Sequence, residues 1–301
     1  MMEFYYVLIK NDGKIIHDIF ATSHNDLIAK YITPEDEKNK TYFKAIYSPK
    51  ENHRLDDLNN YKIIFSDNYI PEWFTGDFVE EIIAQLNSII ESFIIRGHRQ
   101  ILLQEGAILI KNSYIEEIKH SVVFAMYDNA CIKMLDFNSE IHLMRDNSSI
   151  EEMHDSSKIF EIKDYVKIGE MHDYSKILKV SEQAKIGKMF EHARIILLKG
   201  DANIEQMYEK SSTDSLKHMS RIFEMHDHSI VEEMRDWSVV EKMFDQSRVN
   251  YMNEDSKIIE MYGDSMIEHM SGNSIIEKLS ENSLVRKMED MAKILERHLN
   301  K

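Results

Sequence analysis

The chain has 301 residues, of which 43% are hydrophobic, and a formal net charge of −16. This apolar content is enough to fill a continuous core, which excludes a disordered chain. The negative charge excludes a general nucleic-acid binder, because contacts to phosphate need clustered Lys and Arg.

The N-terminal region, residues 1–105, predicts a mixed α/β cap domain. Two apolar runs flank Asn11-Asp12-Gly13, which is a strong hairpin signal. The stretches TYFKAIY and YKIIF are further strand candidates, and the amphipathic sequence after Pro71 predicts one or two helices. Neither a cleavable leader nor a membrane span is expected here, because charges interrupt every apolar run. The one cysteine, Cys131, permits no internal disulfide and favours a cytoplasmic location.

A nine-residue repeat begins at Ser121 and continues to Ile294 without a slip. Twenty positions spaced by nine, from Val123 to Ile294, are Ile or Val with the single exception of Thr213. Three residues after all of them but Ile294, which is followed by Arg297, stands a second apolar position, which holds thirteen of the chain's 19 methionines. Two residues before each stands Ser in fourteen units, Ala in five and Val166 in one. The unit is Ser-x-Ile-x-x-Met-x-Asp-x.

This repeat predicts a parallel β-solenoid and excludes helical repeats. Nine residues make 2.5 helical turns, so successive Ile residues would fall on opposite sides of a helix. Ser and Ile two residues apart share one face of a strand of about three residues, and Asp or Gly five residues after Ile suits a turn. Two units per coil, about ten coils in all, is the favoured geometry, with three per coil as the alternative. All three prolines lie before residue 72, as a continuous ladder requires.

The solenoid is expected over residues 106–292. Ser113, Ile115 and Ile118 match the unit, but Ser121 follows Ser113 after eight residues, which predicts a bulge or deletion at the start. Residues 293–301 are expected to form a C-terminal cap. The spacing of Met288, Met291, Ile294 or Leu295, and Leu299 predicts a short helix there.

The segment Asp128-Asn129-Ala130-Cys131-Ile132 resembles the nonapeptide repeats, of the form Asp-Asn-Ala-x-Val-x-x-Val/Met, of functionally uncharacterised proteins from bacteriophages and gut bacteria. The resemblance covers residues 121–292, although most units here have Ser in place of Ala. It implies a β-solenoid of phage or bacterial origin and carries no catalytic residue across.

Three features of the repeat have a structural and a functional interpretation, and the structural one is favoured each time. The Asp residues suit turns that bond their own backbone rather than calcium, because the unit lacks the Gly-Gly-x-Gly-x-Asp pattern of calcium-binding rolls. His154 and His172 should stack one coil apart, where a solvated corner is favoured over a metal site. The Met register belongs to the core rather than to an adaptable binding surface.

Large exposed side chains are the candidates for a contact patch on a solenoid face. They are Tyr165, Tyr174, Phe190, Trp237, Phe244 and Tyr262. The chain contains no phosphate-binding loop, no His-Glu-x-x-His and no nucleophile elbow, so neither enzymatic activity nor a cofactor is expected. An enzymatic alternative would lie around Trp73, Asp77 and His98.

The sequence therefore predicts a non-enzymatic recognition or inhibitor module that binds a protein partner and touches neither nucleic acid nor membrane. Residues 121–301 hold 34 acids and 24 bases, which is a modest excess for a nucleic-acid mimic. Such a module would act in the bacterial host cytoplasm. The alternative is a structural role, in which copies of the chain assemble into a viral or cellular particle and, for a phage protein, reside in the virion.

Overall fold

The computed structural model describes residues 5–51, 53–66, 70–280 and 282–297. The chain divides into two compact units, which are Met1–Ile95 with Gly106–Ile108, and Arg96–Glu105 with Leu109–Lys301. Within the described ranges, no helix is both long and apolar enough to cross a membrane.

The first unit contains an antiparallel four-stranded sheet in the order β2-β1-β3-β4. Its strands are β1 Tyr6–Lys10, β2 Ile15–His17, β3 Tyr42–Pro49 and β4 Tyr61–Phe65. Strands β1 and β2 form the hairpin predicted at Asn11-Asp12-Gly13, in the register Leu8↔Ile16. The two stretches predicted as further strands are β3 and β4, so all four strand predictions are confirmed.

Three helices accompany this sheet: α1 His24–Tyr31, α2 Pro34–Asn39 and α3 Asp77–Phe93. Helix α3 is the amphipathic helix predicted after Pro71, and it buries Ile82, Leu86 and Ile90 at four-residue spacing. Helices α1 and α2 were not predicted. Their signal is local, since the Ser23 and Thr33 hydroxyls each accept a hydrogen bond from a backbone N–H of the first turn.

The second unit is a parallel β-solenoid. Four strands precede the regular repeats: β5 Ile94–Ile95, β6 His98–Leu103, β7 Gly106–Leu109 and β8 Tyr114–Lys119, of which β5 and most of β7 belong to the first unit. The repeat strands, numbered onward from β9, are Val122–Met126, Cys131–Asp136, Glu140–Met144, Ser149–Met153, Lys158–Ile162, Lys167–Met171, Lys176–Val180, Lys185–Met189, Arg194–Leu198, Asn203–Met207, Ser212–Leu216, Arg221–Met225, Ile230–Met234, Val239–Met243, Arg248–Met252, Lys257–Met261, Met266–Met270, Ile275–Leu279, Leu284–Met288 and Lys293–Arg297 (β28).

Each coil consists of two repeats. Strand β12 pairs in parallel with β14, so that Ile150 lies beside Ile168 and Met153 beside Met171, a separation of 18 residues. Even-numbered strands from β6 to β28 form one 12-stranded sheet, and odd-numbered strands from β9 to β27 follow one another in the other. This confirms the prediction of two units per coil.

Nineteen of the twenty repeat strands are five residues long, not three, since they extend from the residue before the Ile position to the Met position. Strand β10, Cys131–Asp136, has six residues. Only the Ile and Met positions of a typical strand, such as Ile159 and Ile162, are buried, and the other three residues are partly exposed. The stacked Ile and Met side chains are fully buried in most coils. Burying each of them contributes roughly 1.5–3 kcal/mol, so the core assignment of the Met register is confirmed.

The irregular start of the solenoid lies where the sequence lacks one residue. Ile115 pairs with Ile132, a separation of 17 residues, and the next pair in the same sheet, Ile132 with Ile150, returns to 18. Strand β8 is one residue longer than a typical repeat strand, and the turn from β8 to β9 has two residues instead of four. The unit is therefore one residue shorter, and the inward side chains nevertheless stay in register.

The predicted C-terminal helix is wrong for the residues that the structure describes there. Lys293–Arg297 form strand β28, which pairs in parallel with β26 and places Ile294 beside Ile276. The ladder of backbone hydrogen bonds offered by β26 outweighs the helical spacing of the apolar residues. Leu299 and the other residues of 298–301 lie outside the described ranges.

Candidate functional site

The corner that follows the even-numbered strands carries a column of stacked rings. Each ring stands directly after the buried Met of its strand, 18 residues from the next ring. Neighbouring centroids are 4.8–5.4 Å apart and the ring planes differ by 4–12°. Offset stacking adds about 0.5–1.5 kcal/mol per pair beyond burial. This ring column consists of His154, His172, Phe190, Tyr208, His226, Phe244 and Tyr262.

A column of six carboxylates lies beside the ring column. Every member has a positive φ, between 53° and 56°, as the tight turn requires. We call it the acidic corner: Asp155, Asp173, Glu191, Glu209, Asp227 and Asp245.

The acidic corner is held by hydrogen bonds between coils. The Glu191 N–H donates to Glu209 Oε2 at 2.9 Å, and the Glu209 N–H donates to Asp227 Oδ2 at 3.0 Å. The turn amide at positive φ points along the solenoid axis, so the side chain of the next coil accepts from it. The prediction that these side chains bond their own backbone is therefore wrong, although their role in turn formation is confirmed.

A shallow groove of about 690 Å³ runs along the acidic corner. It is lined by Glu191, His192, Glu209, Lys210, Asp227, His228, Asp245 and Gln246. Four carboxylates and one ammonium line it, so the groove is negatively charged with the histidines neutral. Its floor consists of turns that repeat once per coil, at a strand spacing of about 4.8 Å.

The histidines of the ring column are surrounded by carboxylates. His226 Nε2 lies 3.3 Å from Glu224, and His226 Nδ1 lies 3.8 Å from Asp245. At the N-terminal end of the column, burial raises the pKa of Asp136, and the carboxylate of Asp155 raises it further by like-charge repulsion. Glu152, Glu170 and Glu224 thus each lie beside a histidine of the ring column.

The opposite corner carries a second set of turn acids among basic residues. Burial alone would raise the pKa of Asp164, but hydrogen bonds from the Asp146 N–H and from the Arg145 guanidinium together hold it below its ordinary value. The Asp236 carboxylate accepts a hydrogen bond from the His218 N–H, which lowers the pKa of Asp236.

Four of the six predicted contact residues meet at the first corner. Phe190, Phe244 and Tyr262 are members of the ring column, and Tyr174, exposed by 66%, stacks on His192 at 5.0 Å. The predicted stacking of His154 on His172 is confirmed, with centroids 4.8 Å apart.

The other two candidates, Tyr165 and Trp237, stand in turns of the opposite corner, separated by the turns that hold Gln183, Asp201 and Met219. They are exposed by 56% and 65% but form no common patch with the four. The sequence interpretation missed Tyr208, which joins Phe190 to His226. Its signal is the 18-residue spacing of the rings, which becomes informative once two units per coil are assumed.

Within the described residues, no group of three or more His, Cys, Asp or Glu is placed to hold a metal ion. Of the residues considered for an enzymatic alternative, Trp73 packs against Phe43, with ring centroids 5.4 Å apart, and Asp77 begins α3. His98 stacks on Tyr114 in the solenoid. Comparison of the chain with protein-family models, curated proteins and solved structures gave no match.

Proposed function

We propose that this chain is a non-catalytic recognition module that binds a basic segment of a partner protein along the acidic corner. The observation that carries the proposal is the uninterrupted column of six carboxylates, four of which line a groove of about 690 Å³. The backbone hydrogen bonds between coils hold these carboxylates in place before any partner arrives. Binding would therefore cost little ordering entropy in this chain.

The spacing of the carboxylates favours a basic protein segment over imitation of duplex DNA. The corner offers one carboxylate per coil, or one per about 4.8 Å, whereas duplex DNA carries one charge per about 1.7 Å of its axis. Inhibition of a nucleic-acid-binding protein would follow where the basic segment belongs to such a protein. The lone Cys131, a free thiol, agrees with action in a reducing cytoplasm of a bacterial or phage-infected cell.

The test is affinity capture from a lysate of the encoding host, at low and at physiological salt, with the intact chain and with Glu209→Gln/Asp227→Asn. These amides keep the hydrogen bond to the preceding turn but remove two charges from the groove. The matched control is Asp236→Asn/Glu254→Gln, in the turn column of the opposite corner. The proposal is supported by a stoichiometric partner whose capture weakens with salt and in Glu209→Gln/Asp227→Asn, but not in the control variant. Equal capture by both variants contradicts it.

The structural role is the second candidate, and the last described coil favours it. Leu284, Met288, Met291 and Leu295 are all exposed there, and in the described sheets β27 and β28 each have a neighbouring strand on one side only. Apolar side chains beside free strand edges promote association of chains. Light scattering that shows self-association of the intact chain but not of Leu295→Glu would favour assembly over recognition.

A further inference from the structure

The outer face of the odd-numbered sheet carries apolar side chains where outward positions are otherwise mostly polar. Phe160, Leu178 and Ile196 occupy the same outward position in β13, β15 and β17, and Leu143 and Leu197 stand in the neighbouring position of β11 and β17. All five are partly exposed. In the even-numbered sheet, the corresponding positions of these coils hold Glu151, Gly169, Gly187 and Glu205. We call the five residues the apolar stripe.

Cations flank the apolar stripe on both sides. The strands of the odd-numbered sheet begin with Lys158, Lys176 and Arg194, and the residues that follow them include Arg145, Lys163 and Lys199. With Lys179, these are seven cations on β11 to β17 and at the positions directly after these strands. The same positions hold two carboxylates, Glu140 and Glu161, in a chain whose net charge is −16. This part of the surface, the basic face, thus has the opposite sign to the net charge of the chain.

A pocket of about 280 Å³ opens at the edge of the basic face. It forms where Ser181 and Gly200 interrupt columns of larger side chains, and Lys163, Lys179 and Lys199 line it together with Glu182 and His218. Lys163 and Lys179 both pair with Glu161. Lys199 and Lys176 have no ion-pair partner among residues 5–51, 53–66, 70–280 and 282–297, so both ammonium groups are available to an external anion.

We propose that the basic face binds an amphipathic acidic helix of a partner protein. A helix laid along the solenoid axis presents one apolar residue per turn, every 5.4 Å, which closely follows the spacing of about 4.8 Å between coils. Its apolar residues contact the stripe from Leu143 to Ile196, and its carboxylates reach the lysines on either side. The stripe covers four strands, about 14 Å, which matches roughly ten helical residues.

The width of the basic face favours a helix over an anionic membrane surface. A strand of five residues spans about 16 Å, and a helix with its side chains is about 10–12 Å across. Just beyond the cations of one edge stand Asp146, Asp164 and Glu182. A helix fits inside this acidic border, whereas a broad anionic lipid surface would be repelled by it.

The probe is a fluorescein-labelled peptide of about 14 residues, with Leu at i, i+4, i+7 and i+11 and Glu on both sides of that stripe. Its binding to the full chain is measured by fluorescence anisotropy at physiological salt. We expect saturable binding that Leu178→Asp weakens about tenfold or more, because a charge then sits in the centre of the contact. The matched control is Ile259→Asp, an outward apolar position of β24 in the other sheet, which should leave binding unchanged.

A second variant separates charge from packing and serves if Leu178→Asp does not fold. Lys176→Glu/Lys199→Glu should weaken the same peptide at least tenfold, while Lys185→Glu, at an exposed position of the even-numbered sheet, should not. A peptide with Lys in place of Glu should not bind. The proposal is overturned if the acidic peptide fails to bind, if target and control variants weaken it equally, or if the chain binds anionic lipid vesicles and not the peptide.

Discussion

Met225→Asp tests the role of the methionine column in the core. Met225 is fully buried at the end of β20, between Met207 and Met243 of the neighbouring coils. Loss of the apolar side chain costs about 2–5 kcal/mol, and an unpaired buried carboxylate costs about 3–5 kcal/mol more. The sum approaches the whole stability of an ordinary domain, about 5–15 kcal/mol. Because each coil contacts its neighbours alone, the damage should begin in the coils of β18 to β22.

Hydrogen exchange read by mass spectrometry, together with urea unfolding, locates and measures this effect. Backbone amides of β18, β20 and β22 should lose protection first in Met225→Asp. Two controls bracket the result. Met219→Asp makes the same change at an exposed turn six residues earlier and should cost less than about 0.5 kcal/mol, and Met225→Leu should cost less than about 1.5 kcal/mol. Native protection and stability in Met225→Asp would refute the core assignment of this column.

Two further substitutions probe local geometry and pH dependence. A Cβ at Gly187 would lie 2.4 Å from the Gly169 carbonyl oxygen. Gly187→Ala should therefore lower the free energy of unfolding in urea by roughly 1–3 kcal/mol. The control is Glu205→Ala, one coil further in the same column, which should change this free energy little. Burial lowers the pKa of His142. Folding therefore opposes protonation of His142. The stability that the neutral imidazole contributes above about pH 6.5 is lost as the pH falls through the lowered pKa of His142. His142→Phe should narrow the difference in melting temperature between pH 7.5 and 5. An unchanged difference would contradict the lowered pKa of His142.

The repeat could be predicted in detail because its signal is local and occurs twenty times. The inward register and the turn acids each follow from nine residues of sequence. The structure buries the register from Val123 to Leu279 and gives the turn acids a positive φ. The predicted C-terminal helix was wrong at Lys293–Arg297 because helical spacing over a few residues ignores the free edge of β26. Helices α1 and α2 were missed because short polar helices depend on caps more than on apolar periodicity.

The candidate site was only partly predictable, because the grouping of outward side chains depends on which repeats stack. Large side chains such as Trp237 and Tyr174 were grouped by exposure, but the structure places them at opposite corners. Tyr208 was overlooked, although it stacks between Phe190, a predicted contact residue, and His226 in the ring column. A contact patch depends on which repeats stack, and no single repeat contains that information.

The sequence by itself determined which side chains point inward, because the Ile and Met positions are apolar in nearly every unit and burial of apolar surface is the main favourable contribution to folding. Only the tertiary structure decided how the outward side chains are grouped. Two repeats close one coil, so residues 18 apart become neighbours, and alternate repeats are sorted into separate sheets and corners. That sorting places the rings and acids at one corner and the apolar stripe with its lysines on one face. The closure of the coil is a property of the whole chain, since it requires both sheets to bury their Ile and Met side chains against each other.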